Sequence, residues 1–294
     1  MYQLLTLLAG VLISLIAVLN GTLTAKVGLY LTTVIIHVVA IAFALLLLGL
    51  RRQSFMPKRK LPLWMYFGGF ISVLCTLCSN YAFGRISLVA ITALGLLAQT
   101  VTSLLIDNYG FFGAQKNTIK PVTLVCIAFS FCGIIYMLYG SEMTVLSAIA
   151  TSFLAGVGLV VSRMISAALA SSTNAVGSSL INHVVGLPLA VLLLFVLGGS
   201  ELAALPGSLS TAPAWAYLGG IAGMLVIVIT NVVLPKVSAF QVSLLLFVGQ
   251  VFSGAAVDLL MGAGFSPRTF FGGVLIAAGV LANTLLEKVF PKKA

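Results

Sequence analysis

Two glutamines and two aspartates recur at the same spacing in otherwise apolar stretches of this sequence. Gln99 precedes Asp107 by eight positions in LLAQTVTSLLID, and Gln250 precedes Asp258 by eight in FVGQVFSGAAVD. Polar side chains are costly in lipid, so they usually face protein or water there. Eight helical residues cover about 12 Å. The spacing therefore predicts glutamines near the membrane midplane and aspartates near helix ends.

The amide side chains are candidates either for substrate binding or for hydrogen bonds between helices. Gln99 and Gln250 either line a central cavity, as in inverted-repeat transporters, or hydrogen-bond across a helix interface. The same two roles apply to Asn80 and Asn231, which lie late in their apolar stretches. Asn20 follows an apolar run in NGTLTAK and is a further candidate to face the cavity.

The aspartates are candidates for gating or proton coupling. Asp107 is predicted at the cytoplasmic face and Asp258 at the outer face, where the two would be exposed alternately. The alternative is that each aspartate forms a permanent ion pair that holds the loop after its helix. The helix macrodipole disfavours an anion at a helix C-terminus, so a nearby cation should offset its charge. Lys116 or Lys120 would then pair with Asp107, and Arg268 with Asp258.

Two histidines at matching positions are further candidates for proton coupling. His37 and His183 each lie about two turns into a predicted helix. Histidine titrates near neutral pH, so such a pair can carry a proton. The other interpretation is a histidine hydrogen-bonded to a neighbouring backbone or side-chain group.

Arg163 is a basic residue inside an apolar stretch, LVVSRMISAAL, and has no basic counterpart elsewhere. It either snorkels to the headgroups from a helix end or lies about two turns inside the membrane. An inward arginine costs roughly 2.5–3.5 kcal/mol on insertion scales and needs a partner or water. On that interpretation it binds an anionic substrate.

The elements that position these residues are membrane-spanning helices. Hydrophobic residues make up 61% of the 294 and charged residues only 7%, which excludes a soluble domain. Stretches of about 20 apolar residues are each long enough to cross a bilayer. Ten are predicted: 4–26, 30–50, 63–83, 87–106, 119–138, 147–168, 176–197, 214–233, 239–260 and 270–287. The first is predicted to be retained, since no basic segment or cleavage site marks it as a signal peptide.

The net charge of +10 predicts membrane orientation. Lysine and arginine favour cytoplasmic loops. With the N-terminus inside, 12 of the 15 basic residues fall on the cytoplasmic side and 3 outside. Both termini are therefore predicted to be cytoplasmic, in the cytoplasmic (inner) membrane of a bacterial-type cell. Because topology explains the charge, nucleic acid is not an expected partner.

The chain consists of two copies of one unit. A shift of 151 places PLWMYFGG on PAWAYLGG and Asn80 on Asn231, and a shift of 146 places IIHVV on INHVV. Each unit, 1–140 and 141–294, contains five predicted spans. Because five is odd, the second unit enters the membrane from the opposite side. The predicted fold is an all-α polytopic membrane protein with ten transmembrane helices in a 5+5 inverted-topology repeat.

The repeated pattern WxYxGG, followed by Asn, Gln and Asp, resembles the YdcZ-type branch of the drug/metabolite transporter superfamily in a fused two-copy form. The resemblance implies a secondary transporter of small organic molecules. Small multidrug exporters of that superfamily rely on a glutamate in the first helix. The first and sixth spans here have no acid, so that coupling scheme does not carry over.

The predicted function is secondary active transport of a small metabolite or drug by alternating access, coupled to protons, with export favoured by the resemblance. Import of a small anionic or zwitterionic metabolite is one alternative, and a channel or a non-transporting scaffold is another. No GxxxxGK[ST] or HExxH motif occurs, so neither an enzyme nor a cofactor is predicted. The expected partners are the substrate and the lipid bilayer. The functional unit is expected to be a monomer, with a homodimer as the alternative.

Overall fold

The computed structural model describes residues 1–57, 60–86, 88–113, 121–139, 143–237 and 239–260, and seven residues between 271 and 282. Throughout this part of the chain the regular elements are helices. They are α1 (Tyr2–Val27), α2 (Leu29–Arg51), α3 (Phe67–Ala82), α4 (Leu88–Tyr109), α5 (Pro121–Leu138), α6 (Met143–Ser172), α7 (Ala175–Leu197), α8 (Gly199–Ser208), α9 (Gly219–Val233) and α10 (Ala239–Leu260). Short 3₁₀ turns, Leu63–Tyr66 and Ala214–Leu218, lead into α3 and α9.

Six helical segments are long and apolar enough to cross a membrane: Tyr2–Val27, Leu29–Arg51, Leu63–Ala82, Met143–Ser172, Ala175–Leu197 and Ala214–Val233. The chain is thus a multi-pass membrane protein. Helices α4, α5 and α10 coincide with three further predicted spans. The tenth predicted span, 270–287, lies largely outside the described residues. The short helix α8 lies between the seventh and eighth predicted spans and was not predicted from the sequence.

Helix α8 fastens the start of α2. Glu201 of α8 accepts hydrogen bonds from the backbone N–H groups of Leu29, at 2.9 Å, and Leu31, at 2.7 Å. These groups have no partner within their own helix, and a carboxylate also suits the positive end of the helix dipole. Gly28 joins α1 to α2 with φ of 97°, a conformation that glycine adopts readily.

The helices pack at places where small residues allow close backbone contact. α1 packs against α9 and α10, α6 packs against α3 and α4, and α2 packs against α7. A Cβ at Gly10 of α1 would collide with the carbonyl oxygen of Leu246 in α10. A Cβ at Gly156 of α6 would collide in the same way with the carbonyl oxygen of Gly95 in α4.

The same kind of contact joins α3 to α7 and α9 to α2. A Cβ at Gly69 would strike the carbonyl oxygen of Asn182, and one at Gly220 would strike that of Ile36. Four interfaces are therefore set by glycines, and they hold the helices around a cavity.

Candidate functional site

A cavity of about 210 Å³ lies in the interior of the molecule, lined by side chains of α1, α2, α3, α4, α6, α7, α9 and α10. Its wall is mostly apolar, with polar groups at a few places, which is typical of small-molecule sites. Seven residues singled out from the sequence line it: Asn20, His37, Asn80, Gln99, Arg163, His183 and Gln250.

Arg163 extends into this cavity from α6. Its guanidinium donates a hydrogen bond to Oε1 of Gln99 in α4, at 2.6 Å. α6 continues to Ser172, nine residues further, so Arg163 lies about 14 Å from that helix end. Of the two orientations that the sequence left open, the structure has the inward one.

Gln250 is the repeat counterpart of Gln99, and its surroundings differ. It is 7% exposed, and its backbone carbonyl accepts a hydrogen bond from the hydroxyl of Ser14 at 2.9 Å. The position that corresponds to Arg163 is Ala17, since 163 − 146 = 17, and Ala17 also lines the cavity. One glutamine thus neighbours a cation, and the other has a methyl group at the matching place.

Serine and threonine side chains supply further polar groups. Thr76 donates to the carbonyl of Ser72 at 2.9 Å, Thr92 to that of Leu88 at 2.7 Å and Ser152 to that of Ala148 at 2.7 Å. Because each hydroxyl proton is held by its own helix, the oxygen remains as an acceptor toward the cavity. These residues were not predicted, although Ser72, Thr76 and Asn80 stand at intervals of four on one face of α3.

Of the predicted asparagines that line the cavity, two carry buried amide atoms without a hydrogen-bond partner among the described residues. Nδ2 of Asn80 and Oδ1 of Asn20 are the atoms concerned, and both side chains are 5% exposed. Oδ1 of Asn231 is likewise buried without a partner among the described residues, but Asn231 is not among those that line the cavity. It donates to the carbonyl of Ala175 at 3.2 Å and so joins α9 to α7.

The two histidines meet between the two halves of the chain. The rings of His37 and His183 have centroids 5.1 Å apart and lie edge to face. Nδ1 of His37 is 2.8 Å from the carbonyl of Thr33, and its Nε2 has no partner in the described part of the chain. The same holds for both nitrogens of His183. Cys75 lines the same cavity, but no group of three or more metal-ligating side chains occurs among the described residues.

The predicted gate residues lie at helix ends. Asp107 is in the last turn of α4, which ends at Tyr109, and Asp258 is in the last turn of α10, which ends at Leu260. Their predicted partners, Lys116, Lys120 and Arg268, lie outside the described residues, as do the surroundings of the two carboxylates.

Known proteins match the chain in sequence and in fold. Residues 1–136 and 147–286 both match the family model DMT_YdcZ, described as "Putative inner membrane exporter, YdcZ". A solved crystal structure of another protein matches over 100% of this chain and 99% of its own, with a TM-score of 0.65 and 15% identity. At that identity the likeness shows the fold alone. No curated protein matches the chain.

Proposed function

The chain belongs to the YdcZ family, in a fused two-copy form, and on that premise we propose that it is a secondary active transporter of a small organic molecule. It works by alternating access in the cytoplasmic membrane. The observation that carries this proposal is the cavity, which is lined from both copies and contains buried polar atoms without partners among the described residues. Transporters with internal repeats bind substrate at such an interface.

The two copies are proposed to form a 5+5 inverted repeat. The glycine contacts support it, because their residues are related by the offsets of the sequence repeat. Gly10 corresponds to Gly156 by 146, and Gly95 corresponds to Leu246 by 151. The contact of α1 with α10 is therefore the counterpart of the contact of α6 with α4.

The proposed orientation places both termini in the cytoplasm, as the distribution of lysine and arginine favours. It can be tested with reporters fused at the C-terminus and near Gly207 of α8. The C-terminal reporter should be active in the cytoplasm and the Gly207 reporter outside. A cytoplasmic reporter at Gly207 would overturn this orientation.

Proton coupling is proposed to run through the histidine pair. The rings of His37 and His183 touch each other, so protonation of one disfavours protonation of the other. The pair is therefore proposed to carry one proton at a time. The other described titratable groups that line the cavity are Arg163 and Cys75. An anion bound in the same cavity would favour the charged imidazole. Substrate and proton would then bind together.

Asp107 and Asp258 are proposed as gates at opposite ends of the path. Replacing Asp107 by Asn should change labelling of an introduced cysteine from the cytoplasmic side, and replacing Asp258 by Asn should change it from the outer side. The measurement uses a background without the four native cysteines. Identical changes in both variants would indicate general destabilisation and remove the gate assignment.

Export is the proposed direction, following the family description, and import of an anionic or zwitterionic metabolite is the alternative. The test uses purified protein in liposomes loaded with a bacterial metabolite extract. A few metabolites should leave these vesicles faster than protein-free ones, and an imposed pH gradient should change their rates. Loss of no metabolite would contradict transport. Bilayer currents far above carrier rates would indicate a channel.

A further inference from the structure

We propose that the substrate is a small organic anion, whose negative group binds Arg163 and whose apolar body lies against the rest of the cavity wall. This inference rests on the proposed transport function, because it names the class of molecule that the same cavity binds.

The first argument is the uncompensated charge of Arg163. Its described hydrogen-bond partner in the cavity is a neutral amide oxygen, that of Gln99, whereas a guanidinium has five N–H donors. Arg163 is half-buried, and a cation withdrawn from water without a counter-charge is destabilising. A fold that keeps one in a cavity suits a ligand that supplies the missing charge.

No acid among the described residues lines the cavity to supply it. The sequence has five: Asp107, Glu142, Glu201, Asp258 and Glu287. Asp107 is eight residues beyond Gln99 on α4, about 12 Å along the axis. The carboxylate of Glu201 already accepts hydrogen bonds from two backbone N–H groups at the start of α2.

A second unused donor belongs to a residue that lines the same cavity. Nδ2 of Asn80 is buried without a partner among the described residues, and Asn80 lines the cavity beside α6. An amide N–H₂ group can only donate. A cation and an unused donor on residues of one cavity are the kinds of group that bind a carboxylate or a similar oxyanion.

The rest of the wall limits the shape of the substrate. Ile13, Ile91, Leu159 and Ile227 line the cavity with side chains that cannot hydrogen-bond. A volume of about 210 Å³ admits only a small molecule. A single negative group on a short apolar body therefore fits the cavity.

The experiment compares ligands that share one body and differ in charge. Benzoate, benzylammonium and benzyl alcohol are added to the purified full chain in a neutral detergent, and a second set uses hexanoate, hexylammonium and hexanol. Thermal unfolding reports binding, because a ligand of the native state raises the melting temperature with its concentration. At least one carboxylate should stabilise the protein, and its amine and alcohol counterparts should not.

Two arginine variants identify the site. Arg163→Gln should weaken binding of the carboxylate by at least about tenfold, as expected for loss of a charged hydrogen-bond partner. Arg85→Gln removes the same charge from an exposed position, where the guanidinium stacks 4.0 Å from the ring of Tyr81. It should leave binding unchanged. Equal binding by the wild type and Arg163→Gln would overturn the proposal.

A second variant keeps the test valid if Arg163→Gln does not fold. Gln99→Glu retains the arginine and gives it a carboxylate at the position of the present amide. The new ion pair should keep the protein folded and abolish stabilisation by carboxylates. Stabilisation of this variant by benzoate to the wild-type extent would contradict the assignment, as would failure of every carboxylate on the wild type.

The experiments distinguish failure of the anion-site proposal from failure of the transporter proposal. Carboxylate binding that depends on Arg163, without flux in liposomes, would support the anion site and contradict the transporter. Flux of an organic cation, without carboxylate binding, would support the transporter and overturn the anion site.

Discussion

Two corners of the cavity have the same backbone packing and different chemistry. The α4–α6 corner contains Gln99 and Arg163, and the α1–α10 corner contains Gln250 and Ala17. At both corners a glycine of the longer helix lies directly on a carbonyl of the other helix. The backbone contacts leave no room for a side chain, so substitution there is excluded. The cavity-facing positions have room, and the two copies differ at them.

The difference shows how a duplicated unit acquires an asymmetric site. A single copy of the unit, paired with itself, would place the same residue at both corners. Two arginines at the matching places would then repel each other across a cavity of about 210 Å³. In the fused chain one copy carries the cation and the other carries Ala17, so substrate should be held mainly at the α4–α6 corner.

The largest effect is expected from the glycines that the two corners share. Gly10→Val and Gly156→Val each place side-chain atoms on a backbone carbonyl. Their cost should exceed the roughly 1–3 kcal/mol typical of overpacking, because a backbone has to move. Yield of folded protein and melting temperature should fall in both variants.

A matched control for these variants is Gly49→Val. Gly49 is a helical glycine of α2, and a Cβ added there would have nothing within 4 Å among the described residues, so this variant should fold normally. If Gly10→Val were tolerated while Gly156→Val was not, the two corners would not share the packing argued here.

The next effect separates the two glutamines. Gln99→Ala should weaken carboxylate binding about tenfold or more, since it removes the partner that orients the guanidinium, and hydrogen bonds to charged groups are worth about 1.5–3 kcal/mol. Gln250→Ala should weaken it only a few-fold. The measurement is a benzoate titration followed by melting temperature. A larger loss in Gln250→Ala would place the substrate at the α1–α10 corner instead.

The sequence predicted the helices better than it predicted which way their polar residues face. Hydropathy located the spans, because about 20 apolar residues are needed to cross a bilayer. Arg163 stayed ambiguous because the direction of its side chain depends on how α6 faces its neighbours, and only its hydrogen bond to Gln99 of α4 shows that direction. Asn80 and Asn231 are equivalent in sequence, yet of the two only Asn80 is among the described residues that line the cavity. Rotation about a helix axis depends on the neighbouring helices, which a single sequence does not specify.

The cap formed by Glu201 shows a different limit of sequence reasoning. The repeat offset changes from 146 to 151 between the seventh and eighth predicted spans, so the segment that contains Glu201 is five residues longer than its counterpart in the first copy. This extra length did not indicate a helix. Glu201 contacts the start of α2 from 170 positions away in the chain. Such a contact depends on tertiary structure, so only the fold reveals it.

A smaller effect is expected from the histidine pair, and it should again be unequal. His183→Gln should remove the response of benzoate flux to an imposed pH gradient, because both its nitrogens lack partners among the described residues. His37→Gln should reduce the response only in part, since one nitrogen already contacts the carbonyl of Thr33. Benzoate binding at fixed pH should persist in both variants. An unchanged pH response in His183→Gln would remove the pair from proton coupling.

The smallest effects should come from the two asparagines, and they should be of opposite kinds. Asn231→Ala removes one hydrogen bond between α9 and α7 together with an Oδ1 that has no partner among the described residues, so the loss of stability should not exceed about 0.6–1 kcal/mol. It should lower the melting temperature and leave benzoate affinity unchanged.

Asn80→Ala removes a buried amide whose Nδ2 has no partner in the described part of the chain. Stability should therefore hold or rise slightly, because an unsatisfied buried group is lost, while benzoate affinity falls a few-fold. Melting temperatures with and without benzoate test both halves of this expectation. A drop in benzoate affinity for Asn231→Ala equal to that for Asn80→Ala would mean that both residues reach the cavity and that it is more symmetric than its two corners indicate.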